Sequence, residues 1–269
     1  EKSLLSDLLS DSVRAAGLGA LMKCAGLVTR FIPIPQPTLL VGPGSSARLG
    51  QAIAGFGHRK ILIVTDGIIS KLGLLRSLTD ALTAGGANYV VFDEITPDAP
   101  IPLIEKGIEF FKANDCDAIV AFGGGSPMDA SKAIAVAVAN PKPLRALAGY
   151  FKGLRSPVKI YAVPTTAGTG SEVTVASVIS DPEAGKKIYL ESCQNCHGPT
   201  GKGDSDMAAY LSPPPANLTA KGTQSKTDAQ LRKVILEGRP GTAMTGYEGA
   251  FEEPQLSDLL AYILSLIHI

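Results

Sequence analysis

The sequence predicts an α/β doubly wound, Rossmann-like domain followed by a small all-α domain, and three observations carry that prediction. Short β-branched or aromatic runs alternate with helical patterns between about residues 60 and 163. That alternation stops near residue 182, where the chain becomes loop-rich. The second part also holds Cys193, Cys196, His197 and Met244, drawn from only four Cys, three His and four Met in 269 residues.

In chain order, residues 1–30 read as a helical lead. Ala15 to Val28 is moderately apolar, but Lys23 interrupts it and no small-residue cleavage site follows, so an amphipathic helix is expected rather than a signal peptide. The sequence opens on Glu1 rather than Met, which reads as a missing natural start. Phe31-Ile32-Pro33-Ile34-Pro35-Gln36-Pro37 reads as extended, because each proline fixes its own φ and biases its predecessor away from helix. Strands are expected at 60–66, 88–92, 117–122, 159–163 and 173–179, with helices at 68–84, 101–113 and 126–139. Near-continuous apolar strands point to burial on both faces, as in a parallel sheet with right-handed crossovers.

Beyond Asp181-Pro182-Glu183-Ala184-Gly185-Lys186-Lys187 a short helix, a Gly/Pro/Ser-rich region (198–226) and two more helices are expected. The domains thus read as 31–182 and 183–266, and something other than a large core should hold the second together. The last residues, 264–269, read either as an apolar helix end or as a non-native tail resembling a translated sequencing adapter.

Composition excludes several classes. Hydrophobic residues at 45% and charged residues at 19% rule out wholesale disorder. The first 182 residues carry 17 basic and 15 acidic side chains, the remainder 8 and 10. Neither part has the positive excess that a nucleic-acid backbone demands. No apolar run reaches the roughly 18 residues needed to span a bilayer, so the chain is not expected to be transmembrane.

Cys193-Gln194-Asn195-Cys196-His197 is the attachment pattern of c-type haem. Two thiols one helical turn apart add across the two porphyrin vinyl groups, and the adjacent imidazole meets the iron. The alternatives are weaker. Zinc needs two further ligands, and only His268 is to hand. A redox pair wants a βαβ setting that is absent here. Of the two candidate sixth ligands, Met207 follows His197 too closely to cross to the opposite haem face, whereas Met244 lies in the turn-rich Gly238-Arg239-Pro240-Gly241-Thr242-Ala243-Met244. Met244 could instead fill a core. With the Pro213-Pro214-Pro215 run and the helix pattern at 256–266, residues 183–266 resemble class I monohaem cytochrome c. That resemblance implies haem c, His197 and Met244 as iron ligands, electron transfer and redox partners in a respiratory chain. Thr245 departs from it, since many relatives have proline there.

In the first part, Gly123-Gly124-Gly125-Ser126 leads from strand to helix, where glycines let backbone amides approach a pyrophosphate, or simply make a tight turn. Asp66 could bond a ribose hydroxyl or merely cap a helix. With Pro164-Thr165-Thr166-Ala167-Gly168-Thr169-Gly170-Ser171-Glu172, these motifs resemble the iron-containing alcohol dehydrogenase family. The resemblance implies NAD(P) binding by Asp66, Gly124, Gly125, Ser126, Asp129, Thr165 and Thr166, with Asp66 favouring NAD. It also implies a catalytic metal on one Asp and three His further downstream. This chain leaves the pattern at 181–187, and His58, His197 and His268 cannot supply three ligands. The dehydrogenase half therefore reads as incomplete and inactive as an alcohol dehydrogenase, and the join as a recent or artefactual fusion.

Three functions compete: an electron carrier with a passenger domain, a dehydrogenase delivering electrons to its own haem, and a nucleotide-binding module only. Localisation is split, since haem c implies the periplasm and the first half implies the cytoplasm. Cys24 and Cys116 read as buried thiols.

Overall fold

A computed structural model describes residues 38–149, 152–174 and 176–266. The helical lead, the proline-rich lead-in, Cys24 and the last three residues, including His268, lie outside the described residues. Four strands form a wholly parallel sheet in the order β2-β1-β3-β4: β1 (Ile61–Val64), β2 (Tyr89–Phe92), β3 (Ala118–Gly123) and β4 (Lys159–Pro164). In register, Ile61 faces Tyr89 on one side and Ala118 on the other, and Ala118 faces Lys159.

The central strands are apolar throughout because both their faces are covered. Leu62 and Val64 join Ile104, Ile119 and Ile134 in one cluster, while Ile61 and Ile63 join Ile53, Leu78 and Val120 in another. The first cluster is covered by α4 (Ile101–Ala113) and α5 (Gly125–Ala139), the second by α1 (Ser45–Ala54) and α3 (Arg76–Ala84). Each fully buried aliphatic side chain contributes roughly 1.5–3 kcal/mol, so the two clusters dominate the stability of this half. Cys116 is buried, as expected.

Several expectations need correction. The helix expected over 68–84 is two, α2 (Gly67–Lys71) and α3, because the chain turns at Gly73 with φ 68°. Helix α1 was not anticipated at all. The expected strand at 173–179 is absent among the described residues of that segment, which carry no ladder and leave Val173 and Val178 exposed. Its β-branched residues favour a strand, but the segment is tied to α5 through Asp129 and Lys132 instead of pairing along the outer edge of β4. Strand β4 is itself an edge, partly exposed along its length, so the burial expected of every strand holds for β1 and β3.

The remaining residues build a helical unit: α6 (Pro182–Ser192), α7 (Gln194–His197), α8 (Lys221–Gln224), α9 (Asp228–Glu237) and α10 (Glu253–Ser265). Its core gathers Tyr189, Leu231, Ile235, Leu256, Leu259, Leu260 and Ile263. The crossing of α6 and α10 is close because Gly185 has no side chain, and a Cβ there would strike the Asp258 carbonyl. Caps define the ends. Asp181 accepts from the Glu183 amide at the start of α6, and Thr227 forms a capping box with Gln230 on α9. No described helix is long and apolar enough to cross a membrane.

Replacing Gly185 with Ala should overpack the α6–α10 crossing and cost about 1–3 kcal/mol. Denaturant-dependent hydrogen exchange should show the loss in α6 and α10 while β1 and β3 are unchanged. The Cys116 thiol is pushed up to about 11, chiefly by burial. The unfolded thiol ionises near about 8.5, so this contribution to stability is complete below that pH and is lost as pH rises through the folded value. Cys116→Ala should accordingly flatten the fall of the denaturation midpoint above about pH 8.5.

Candidate functional site

The second half presents the cysteine motif at a break between helices. Helix α6 ends at Ser192, Cys193 caps it, and α7 carries Cys196 and His197 on one tight turn. The His197 amide donates to the Cys193 carbonyl at 3.0 Å, and the Gly198 amide to that of Gln194 at 2.8 Å. The turn is anchored from outside as well. Tyr189, fully buried, donates its hydroxyl to Gly198 O at 2.6 Å, and Ser205 Oγ donates to Cys196 O at 2.8 Å.

The orientation of His197 is fixed by one contact. Its Nδ1 lies 2.9 Å from the Ala216 carbonyl oxygen. A carbonyl can only accept, so Nδ1 carries the hydrogen and Nε2 keeps its lone pair for a metal. Ala216 follows directly on the proline run, whose restricted φ angles hold that carbonyl in place.

Cys193 packs against the apolar core, and burial pushes its thiol up to about 11. A redox C-x-x-C pair has the opposite electrostatics, with a lowered thiol in a positive setting.

Met244 sits in a loop closed against the end of α9. The Arg239 amide donates to Met244 O at 2.9 Å, the Met244 amide to Thr242 Oγ1 at 3.1 Å, and the Tyr247 amide to Ile235 O at 3.0 Å. A Cβ on Gly238 would come within 2.6 Å of Met244 O, so the loop needs glycine there. This bonding gives the loop the rigidity that Thr245, in place of proline, had put in question. Tyr247 ties it to the cysteine turn by donating its hydroxyl to Ser192 O at 2.8 Å. Met207 lies half-exposed in a short 3₁₀ turn, beside Gln194, Asn195 and Pro199 in a shallow surface depression.

In the first half, strand order reverses between β1 and β3, since β2 lies on one side of β1 and β3 on the other. The carboxyl ends of those two strands border the crevice in which doubly wound folds bind ligands. Asp66 stands just past β1 and the glycine turn just past β3. The two dehydrogenase-like motifs meet there. The Thr165 amide donates to Gly123 O at 2.9 Å, and a Cβ on Gly124 would lie 3.1 Å from Thr166 Oγ1. Gly124, Gly125, Ser126, Thr165 and Thr166 thus share one rim, open to solvent at the two threonines.

Asp66 does what its more modest reading foresaw: its Oδ1 accepts from the Ile68 and Ile69 amides, each at 2.9 Å, capping α2. Asp129 lies in the first turns of α5, four residues after Gly125. It is mostly buried, receives the Val178 amide at 3.1 Å, and has Lys132 Nζ 2.8 Å from Oδ1 as a charge contact. Lys132 also donates to Thr174 Oγ1 and to the Ala176 carbonyl. This pairing holds the 174–178 segment to α5. The contacts to Thr174, Ala176 and Val178 join residues more than 40 positions apart, beyond the reach of local pattern. His58, the one histidine of the first half, donates to or accepts from the Tyr161 hydroxyl at 2.8 Å. Among the described residues no group of three or more His, Cys, Asp or Glu side chains could hold a metal ion.

Comparison with known proteins divides the chain as the geometry does. The family profile of iron-containing alcohol dehydrogenase matches residues 36–196, and that of cytochrome c matches 182–266. Lactaldehyde reductase of Escherichia coli K12 is 34% identical over 200 residues, covering 73% of this chain and 51% of that protein. NAD-dependent methanol dehydrogenase of Bacillus methanolicus is 30% identical over 256 residues, covering 86% and 63%. The solved structure of 1,3-propanediol oxidoreductase superposes with a TM-score of 0.51 at 25% identity, covering 84% of this chain and 63% of that one. The chain spans about half to two-thirds of the length of these relatives. It belongs to the iron-containing alcohol dehydrogenase family, with a cytochrome c domain joined to it.

Proposed function

We propose that this chain is an electron carrier whose second half holds one haem c, attached through Cys193 and Cys196 and ligated by His197 and Met244. The observation that carries the proposal is the 2.9 Å contact between His197 Nδ1 and Ala216 O, which leaves the Nε2 lone pair to meet the iron. The bound haem would supply a one-electron iron couple, and a methionine ligand raises its potential and closes the iron to substrate. The protein's part is orientation and exclusion of water. Ala216 aims the imidazole, the Arg239 and Thr242 contacts hold the methionine loop, and the Tyr189–Tyr262 pair, 5.2 Å between ring centroids, seals the core beneath the cysteine turn. Haem attachment of this kind belongs outside the bacterial cytoplasm, and its partners would be redox proteins of a respiratory chain.

A second role for the first half is supported by the rim at the β1–β3 switch point: binding of NAD by Gly124, Gly125, Ser126, Thr165 and Thr166, with Asp66 against the ribose. A relative named as NAD-dependent is consistent with that reading. Asp129 would then support the rim indirectly, through α5. We do not extend the relatives' alcohol oxidation to this chain. The family's metal needs three histidines; His197 is assigned to haem, and His58 is engaged with Tyr161. Electron delivery from a nucleotide to the haem would further require a two-electron donor to discharge into a one-electron acceptor.

Protein exported with haem-attachment machinery should show haem bands that survive denaturation. Cys193→Ala with Cys196→Ala should lose them. Met244→Ala should abolish the methionine-to-iron band and lower the reduction potential, whereas Met207→Ala should change neither. An unchanged potential in Met244→Ala would reject the assignment. For the nucleotide, NADH fluorescence should rise saturably with the full chain. Asp66→Ser keeps a capping oxygen and should weaken NADH binding without loss of stability, whereas Asp66→Ala should also cost about 1 kcal/mol through the lost cap. Equal affinity of Asp66→Ser and the parent protein would leave Asp66 a capping residue alone.

A further inference from the structure

Among the described residues the buried apolar side chains fall into three clusters, and none of them spans the join. Two belong to the sheet and its helices, and the third is confined to residues of the helical unit. What connects the halves is polar. Arg145, just after α5, lays its guanidinium along the Asp181 carboxylate, with Nε 2.7 Å from Oδ2 and Nη2 2.8 Å from Oδ1, and also reaches Glu183 at 3.0 Å. Asp181 is at the same time the cap of α6. Its amide donates to Asp258 Oδ1 on α10 at 2.6 Å. On the other side, Arg232 of α9 reaches Asp98 at 3.5 Å, Glu253 at 2.6 Å and Ser257 Oγ at 2.7 Å.

Between the two arginines lies a strained piece of backbone. Asp98 and Ala99, in the loop from β2 to α4, take φ of 59° and 41°, a region that Asp tolerates and Ala avoids. Two backbone bonds hold them there. The Ser180 amide donates to Asp98 O at 3.1 Å, and the Ile101 amide donates to Ser180 O at 2.9 Å. Such strain persists only where its surroundings over-determine it. Here the surroundings are the segment that leads into the haem unit.

We propose that Arg145 and Arg232 form an electrostatic clasp that docks the helical unit on the α/β half and holds the 98–101 loop in its strained form. The join then opens and closes as a unit without unfolding either core. Three features fit. Arg145 binds Asp181 in two-point geometry, which outperforms a single-point pair. One partner of each linking pair is partly withdrawn from water, with Arg232 23% and Asp181 22% exposed, but Arg145 is 46% exposed, which leaves the attraction open to screening by salt. Arg232 is also the cation shared by Asp98, Glu253 and nearby Asp228, whose carboxyl is pushed up by burial and by Asp98, so its removal leaves those acidic groups facing one another. Isolated ion pairs at this exposure are individually weak. A join made of them should yield to salt well before either apolar core does.

The test is residue-resolved hydrogen exchange on the full chain. Raising salt from about 0.1 M to about 1 M shortens the screening length from roughly 10 Å to 3 Å. Protection of the Ser180, Asp181 and Ile101 amides should then fall by about tenfold or more, while β1 and α10 keep theirs. The double variant Arg145→Met with Arg232→Met should show the same loss already at low salt, with no further response to salt. Arg145→Lys with Arg232→Lys, which keeps the charges, should restore part of the protection. Either of two results overturns the proposal: unchanged protection at the three amides in the double variant, or loss that extends equally through β1 and α10.

Discussion

A parallel strand covered on both faces can satisfy its backbone only through neighbouring strands, and each neighbour must be reached by a crossover that buries a helix. Strands β1 and β3 impose that condition here, since every residue of both is buried. The crossovers follow from it, and so does the placement of chemistry. Each loop that leaves the carboxyl end of a strand emerges at the same end of the sheet. Asp66, the glycine turn and the Thr165–Thr166 pair therefore converge, although they come from distant parts of the chain. The crevice is a consequence of the sheet, with glycine at 124 because Thr166 approaches so closely.

The helical unit solves a different problem. Its core is small, and long loops join its short helices. One close crossing, made possible by Gly185, aligns α6 with α10, and α6 then delivers Cys193 to a fixed position at its end. From there almost every polar contact serves the site. Tyr189, Ser205 and Tyr247 bind carbonyls of the cysteine turn or its flank, and Ala216 sets the imidazole. A scaffold with so little apolar interior gains most from a large flat cofactor lying against these side chains.

At the join, Asp181 works for both halves. It caps α6, accepts two bonds from Arg145, and holds α10 through its own amide. The arginine hydrogen bonds keep its carboxyl below the usual carboxylate range, while burial pushes that of Asp258 above it. The two family matches overlap over residues 182–196, the stretch that follows this aspartate. A helix start with Asp, Pro and Glu in its first turn suits either context, because capping and dipole interactions are local and do not depend on what lies beyond.

By itself the sequence determined whatever depends on local pattern. Apolar runs fixed β1, β2, β3 and β4 to within two residues at either end, the C-x-x-C-H spacing picked out the cysteine turn, and the pattern at 256–266 marked the terminal helix. Tertiary structure decided what depends on partners remote in the chain. Val173 to Ile179 had the composition of a strand but joins no ladder among its described residues, and Asp129, expected at the glycine motif, is paired with Lys132 and the Val178 amide. The Ala216 carbonyl that orients His197 is a backbone atom, and no residue type announces it. Local preference is written in side chains one to four residues apart, whereas competition for a sheet edge, a buried charge or a carbonyl is settled only when the whole chain has been packed.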